Sequence, residues 1–137
     1  MVIKMKEIEI GKEFKVERMV DETMLASTVG SGRANVLSTP MLIALMENAA
    51  LCCLDEFLDN DNDETSVGTM ISASHTAATP LGMKIYAIAK IVKADGRRVD
   101  FEIEAFDECG SIGKAEHSRV IVYGKRFQEK CNEKLKA

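Results

Sequence analysis

No apolar run in this 137-residue chain is long enough to cross a bilayer, and there is no excess of basic residues. Lysine and arginine number 18 against 22 aspartates and glutamates, a net charge of −4, which argues against a general nucleic-acid binder. The opening Met1-Val2-Ile3-Lys4-Met5-Lys6-Glu7 lacks the apolar core and cleavage site of a signal peptide. The four cysteines, at 52, 53, 109 and 131, include no C-x-x-C pair for zinc, and the adjacent Cys52-Cys53 is a poor disulfide framework. A Gly-rich phosphate loop and a G-x-S-x-G elbow are also missing. The acidic run Asp59-Asn60-Asp61-Asn62-Asp63-Glu64 begins like a calcium-binding EF-hand but lacks the required glycine and the later bidentate glutamate, so no metal is expected. These absences leave a reduced, soluble, cytoplasmic protein with neither membrane nor nucleic acid as a partner.

What is present is an apolar helix with a carboxylate in it. With 46% hydrophobic content, one domain and one core over residues 1–137 are the default. Thr39 reads as an N-cap, and Pro40 suits the first helical position, where its missing N–H would have had no partner. Leu42, Leu45, Met46, Ala49, Ala50 and Cys53 then recur on one helical face. Ile43, Ala44, Leu51 and Leu54 fill the opposite side, so the helix should be buried nearly all round. Glu47 falls among Ile43, Leu51 and Leu54, where a carboxylate is costly unless it is paired or does chemistry.

Around that helix the chain reads as strands. Residues 14–20 alternate weakly, residues 24–28 form a second short strand, and Gly30-Ser31-Gly32 breaks the chain before the helix. From Thr65 the period is two: Val67, Thr69, Ile71 and Ala73 share a face of a strand that runs into His75. Thr79-Pro80-Leu81-Gly82 is a turn. Ile85, Ala87, Ala89 and Ile91 then face the core, followed by the hairpin signal Asp95-Gly96. Val99, Phe101, Ile103 and Ala105 form the next inward row. Asp107-Glu108-Cys109-Gly110 turns the chain into a return strand over residues 112–123, and a short helix is expected around residues 127–130. A helix that is apolar on every side needs a partner wrapped round it, and a curved antiparallel sheet with one solvated face supplies it. The expected fold is therefore α+β, of the hotdog type, with the helix as the filling. An exposed edge strand would be covered by pairing with a second copy, so a homodimer is expected.

The chemistry-bearing residues each admit two readings. Thr39 either caps the helix or places a hydroxyl at a positive helix terminus, where an alkoxide or oxyanion is favoured. Glu47 lies about 12 Å further along the helix axis, so the two cannot touch as helix neighbours and would flank a substrate or a cleft. His75 is either a hydrogen-bonded core residue or the group near Thr39 and Glu47 whose ordinary pKa lies close to neutrality. His117 reads as structural or as a supporting partner. Gly68 marks a bulge or a close backbone approach, where its N–H would polarise a carbonyl. Arg119 either holds a ligand's phosphate or carbonyl, or pairs with a surface acid. Arg97 and Arg98 follow a hairpin and read as solvated turn charges.

Leu45-Met46-Glu47, Val67-Gly68-Thr69, His75-Thr76-Ala77-Ala78-Thr79-Pro80, Gly96-Arg97-Arg98, Ile112-Gly113 and His117-Ser118-Arg119-Val120 occur in an order and spacing that resembles the fluoroacetyl-CoA thioesterase family of hotdog-fold enzymes. The resemblance spans about residues 14–127. It implies hydrolysis of an acyl-CoA thioester by a Thr–His–Glu set, which falls on Thr39, His75 and Glu47, with Gly68 and Arg119 at substrate-contacting positions and no metal or redox cofactor. Where the fluoroacetate-specific member carries a phenylalanine that helps form an apolar lid, this chain has Arg33, which cannot reproduce such a lid. Pro40 stands where that member has a glycine. The function expected is an acyl-CoA thioesterase acting on a short acyl chain. The alternative is a hotdog module that binds acyl-CoA without cleaving it. A hydratase lacks its usual His–Asp motif here, and a purely structural dimeric module comes third.

Overall fold

The computed structural model describes residues 7–136, so the opening residues read above for a leader lie mostly outside it. Strand β1 (Glu13–Met19) leads through a short 3-10 turn and the one-turn helix α1 (Ala26–Val29) to the long helix α2 (Thr39–Asp55). Four strands follow: β2 (Glu64–His75), β3 (Lys84–Asp95), β4 (Arg98–Asp107) and β5 (Gly110–Tyr123). Helix α3 (Gly124–Asn132) comes next and a 3-10 turn ends the described chain. All strand pairs are antiparallel, and the sheet order is β1-β3-β4-β5-β2. The strands β1 and β2 are thus the two edges.

The core forms where the periodicities of sheet and helix meet. Ile85, Ala87, Ala89 and Ile91 of β3 and Val99, Phe101, Ile103 and Ala105 of β4 are all buried, as their alternation predicts. Leu42, Leu45, Met46, Ala49, Ala50, Cys53 and Leu54 of α2 pack into the same core. Alanines at 87, 89 and 105 allow the sheet to approach the helix closely. Gly96 and Gly110 take positive φ in the two hairpins, which is why the turn signals there hold.

Three expectations are corrected. Residues 24–28 do not form a strand; the segment turns as a 3-10 helix and α1, and only Leu25 bridges to Leu37. The helix is not buried on all sides, because Ile43, Glu47, Asn48, Leu51, Cys52 and Asp55 are half-exposed and Ala44 is exposed. Ser38, not Thr39, caps α2: its side chain accepts from the Met41 N–H at 3.3 Å, so Thr39 and Pro40 open the first turn. The polar loop after α2 is a 3-10 turn in which Asp59 accepts from the main-chain N–H groups of Asp61 and Asn62. Among the described residues, no group of three His, Cys, Asp or Glu side chains could hold a metal ion, and no helix is long and apolar enough to cross a membrane.

Candidate active site

Because Ser38 takes the capping role, the Thr39 hydroxyl is free to turn elsewhere. Its partner is His75, with Thr39 Oγ1 and His75 Nδ1 2.8 Å apart. Several main-chain bonds bring these residues together from 36 positions apart. The Leu37 N–H donates to the Thr79 carbonyl at 2.9 Å, and Val36 bridges Pro80, so the segment entering α2 is laced to the segment leaving β2. The Thr79 hydroxyl is anchored in turn on the buried Asp107 carboxylate at 2.7 Å. Gly113, opposite His75 in the ladder, has no Cβ because one there would run into the Ser74 carbonyl and crowd Leu42 and Met46. That closeness seats the end of β2 over the start of α2.

The pair can do acid–base chemistry. Thr39 is exposed and His75 half-buried. Burial lowers the His75 pKa below its ordinary 6.5, with the Ala77 main chain acting the other way. The imidazole is thus held in its basic form near neutral pH, able to accept the threonine proton at Nδ1. His75 Nε2 is buried without a hydrogen-bond partner among the described residues.

Glu47 belongs to a second cluster, two helical turns away. It shares a stripe of α2 with Leu51 and Asp55 at i, i+4 and i+8. A Cβ on Gly68 would sit 3.0 Å from Glu47 Oε2, 3.2 Å from His117 Cε1 and 3.5 Å from Arg119 Nη1. Carboxylate, imidazole and guanidinium therefore meet around the side chain that Gly68 lacks. The ladder slips between Gly68 and Met70, a bulge at the position where the lone strand glycine suggested one. That bulge reverses the strand's phase, so Ser66 and Gly68 face inward before it and Ile71 and His75 after it. The inward row expected from Val67 and Thr69 is displaced for this reason.

Arg119 is not a surface cation. Only 6% exposed, it donates from Nε to Ser66 Oγ (2.8 Å), from Nη2 to the Ser66 carbonyl (3.0 Å) and from Nη1 to His117 Nε2 (3.2 Å). Burial lowers its pKa, opposed by the charges of Glu47 and Asp55. Asp55 is pushed the other way, its pKa raised by burial against the pull of Arg119, and its Oδ1 is buried with no partner among the described residues. Cys53 is no candidate nucleophile: burial, reinforced by Glu56, pushes its thiol up to about 11. Arg98 pairs with Asp100 at 2.9 Å near the hairpin, in keeping with a turn charge.

A single chain thus bonds Thr39 to His75, and sets Glu47, His117 and Arg119 around the space that Gly68 leaves open, without joining the two sets directly. Ser66 and Asp55 escaped the reading of the sequence. The i+8 spacing of Asp55 from Glu47 was a usable signal, whereas nothing local tied Ser66 to Arg119, which lies 53 positions on.

A helix wrapped by a curved five-stranded sheet, with a threonine–histidine pair at its start and a carboxylate further along, is the setting of a hotdog-fold thioesterase. The comparisons with known proteins agree, and the chain belongs to the family described as fluoroacetyl-CoA-specific thioesterase, whose model matches residues 20–125. The fluoroacetyl-CoA thioesterase of Streptantibioticus cattleyicolor is 32% identical over 102 residues, covering 74% of this chain and 72% of that one. A solved structure of the fluoroacetyl-CoA thioesterase FlK superposes with a TM-score of 0.87 at 26% identity, covering 94% of this chain and 98% of that one. A Thermus thermophilus hypothetical protein, described as a thioesterase superfamily member, gives a TM-score of 0.85 at 29% identity, with 96% of each chain covered. The chain is accordingly a thioester hydrolase.

Proposed function

We propose that this enzyme hydrolyses a short-chain acyl-CoA to the free acid and CoA, using Thr39, His75 and Glu47. The observation that carries the proposal is the 2.8 Å contact between Thr39 Oγ1 and His75 Nδ1 at the start of α2. His75 accepts a proton from the Thr39 hydroxyl or from a water held there, as a general base. Addition to the thioester carbonyl puts negative charge on its oxygen, which the N–H of Thr39 or of Gly68 would stabilise, since Pro40 has none and those of Met41 and Leu42 are taken by Ser38. Collapse breaks the C–S bond, and the departing CoA thiolate takes the proton from His75. Glu47 flanks the acyl group from further along α2, as nucleophile or as the base for water. Where Thr39 or Glu47 is the nucleophile, a water then gives its hydroxyl to the acyl carbon and breaks the acyl–oxygen bond, its proton passing through His75 to the freed side-chain oxygen or to solvent. Where water attacks directly, the acid forms in one step. Both routes consume one water and yield one acid and one thiol.

No metal or redox cofactor enters this scheme. Arg33 lies exposed in the segment ahead of α2, where an apolar cover over the acyl group would be needed for a fluorinated substrate to be preferred. Acetyl-CoA and its short homologues therefore suit the site at least as well as fluoroacetyl-CoA. The enzyme acts as a homodimer in the cytoplasm: β2 is a free sheet edge, and it carries both Gly68 and His75, so a second copy pairing there would border both clusters.

Thiol release measured over a panel of acyl-CoA thioesters tests the proposal. Turnover of short acyl chains is expected, without strong preference for fluoroacetyl over acetyl. Tight binding with no CoA released from any thioester would make the protein a binding module instead.

A further inference from the structure

The sequence left His117 between a structural and a supporting role, and nothing in the thioesterase reading uses it. It is 1% exposed, on β5, facing Phe101 of β4 with ring centroids 6.0 Å apart. Its Nδ1 lies 2.7 Å from the Met70 carbonyl oxygen, immediately after the bulge at Gly68. A carbonyl can only accept, so Nδ1 carries the proton. On the other side of the ring, Arg119 Nη1 lies 3.2 Å from Nε2, and a guanidinium can only donate, so Nε2 offers its lone pair. The two bonds together specify a neutral imidazole in one tautomer. Protonating Nε2 would set two donors face to face.

We infer that His117 is a positioning residue for the hydrolytic site: as an obligate Nε2 acceptor anchored on the Met70 carbonyl, it aims the Arg119 guanidinium at Glu47 across Gly68. Ser66 holds the other edge of the guanidinium through its hydroxyl and its carbonyl. Two of the five N–H donors of Arg119 remain after these three bonds, enough to engage the Glu47 carboxylate or an oxygen bound beside it. The bulge at Gly68 acts in the same direction, since it places the Met70 carbonyl over the imidazole and removes the Cβ that would separate carboxylate from guanidinium. The charged groups that act on the ring are Arg119 from β5 and Glu47 from α2. Against this background Arg119 serves the carboxylate, being too deeply buried to meet a phosphate at the surface.

The inference rests on the reading of Glu47 as a catalytic carboxylate, and the test separates the two. Nitrogen-15 NMR of the intact protein reads the tautomer directly, and His117 should be neutral at pH 7 with its proton on Nδ1. His117→Phe keeps the volume and removes the acceptor, and should lower kcat roughly 10- to 100-fold with little change in KM, as a misaimed group does. His117→Gln returns an acceptor oxygen near the Nε2 position and should recover most of that loss. In a Glu47→Gln background, His117→Phe should cost nothing further. A proton on Nε2, a charged ring, an unchanged kcat in His117→Phe, or a failure of glutamine to rescue overturns the inference. If His117→Phe does not fold, the tautomer and the glutamine variant decide. Wild-type turnover in Glu47→Gln alone would instead remove the assignment of Glu47, with the tautomer still read independently.

Discussion

Thr39 has its hydroxyl turned to His75 because its neighbour Ser38 has taken over the work of capping. A hydroxyl bonded to the first-turn N–H groups would be a poor nucleophile, whereas one bonded to a neutral imidazole has its base in place. Replacing Thr39 by Ala, or His75 by Ala, should each lower kcat by about 10²- to 10⁴-fold, and Thr39→Ser should keep much more activity than Thr39→Ala. Steady-state thiol release checks both. Gly68→Ala makes a different kind of change, since its methyl would crowd Glu47 Oε2 and His117 Cε1. The carboxylate is the flexible partner and should move, so activity should fall while thermal stability changes little. A melting curve beside the kinetic assay separates these effects.

At the level of elements, the contact between the end of β2 and the start of α2 sets the geometry. Gly113→Ala would drive a methyl into the Ser74 carbonyl and against Leu42, at a cost of about 1–3 kcal/mol, and would part His75 from Thr39. Ser38→Ala removes the cap and should cost about 1 kcal/mol, read as a lower denaturation midpoint. Most of these elements were legible in the sequence. Strand β3 alternates strictly because one face meets the helix and the other meets water, and the Asp95-Gly96 turn needs only local chemistry. The segment over residues 24–28 was not legible, because what stops it pairing is its bridge to Leu37 and the lacing of residues 36–37 onto 79–80. The inward row of β2 was misread from Val67 because a bulge shifts phase without altering composition.

For the molecule as a whole, two buried or half-buried histidines tie stability to pH. His75 and His117 both have pKa values lowered from the ordinary 6.5, chiefly by burial. Between the lowered folded values and 6.5 the unfolded chain binds more protons than the native one, so stability rises with pH in that window. The contribution is fully present above 6.5 and is lost as pH falls through the folded values. The melting temperature should therefore begin to fall below about pH 6.5, and His117→Gln should flatten part of that slope. The free edge of β2 belongs to this scale as well. Sedimentation should give twice the 15.1 kDa chain mass, and a charge introduced at the exposed Met70 should shift it toward the monomer.

Local patterns along the chain suffice for an apolar helix, a meander to wrap it, and a short roster of polar residues that such a core would not hold without cause. Periodicity and turn chemistry are local, acting over a few residues, and so they can be read along the chain. That Ser38 relieves Thr39, that a bulge turns Gly68 toward Glu47, and that Ser66 and His117 hold Arg119 inside the protein are outcomes of the packed fold. Each of those outcomes depends on which strand lies over which turn of the helix. That is set by packing between segments dozens of residues apart, and no local pattern records it.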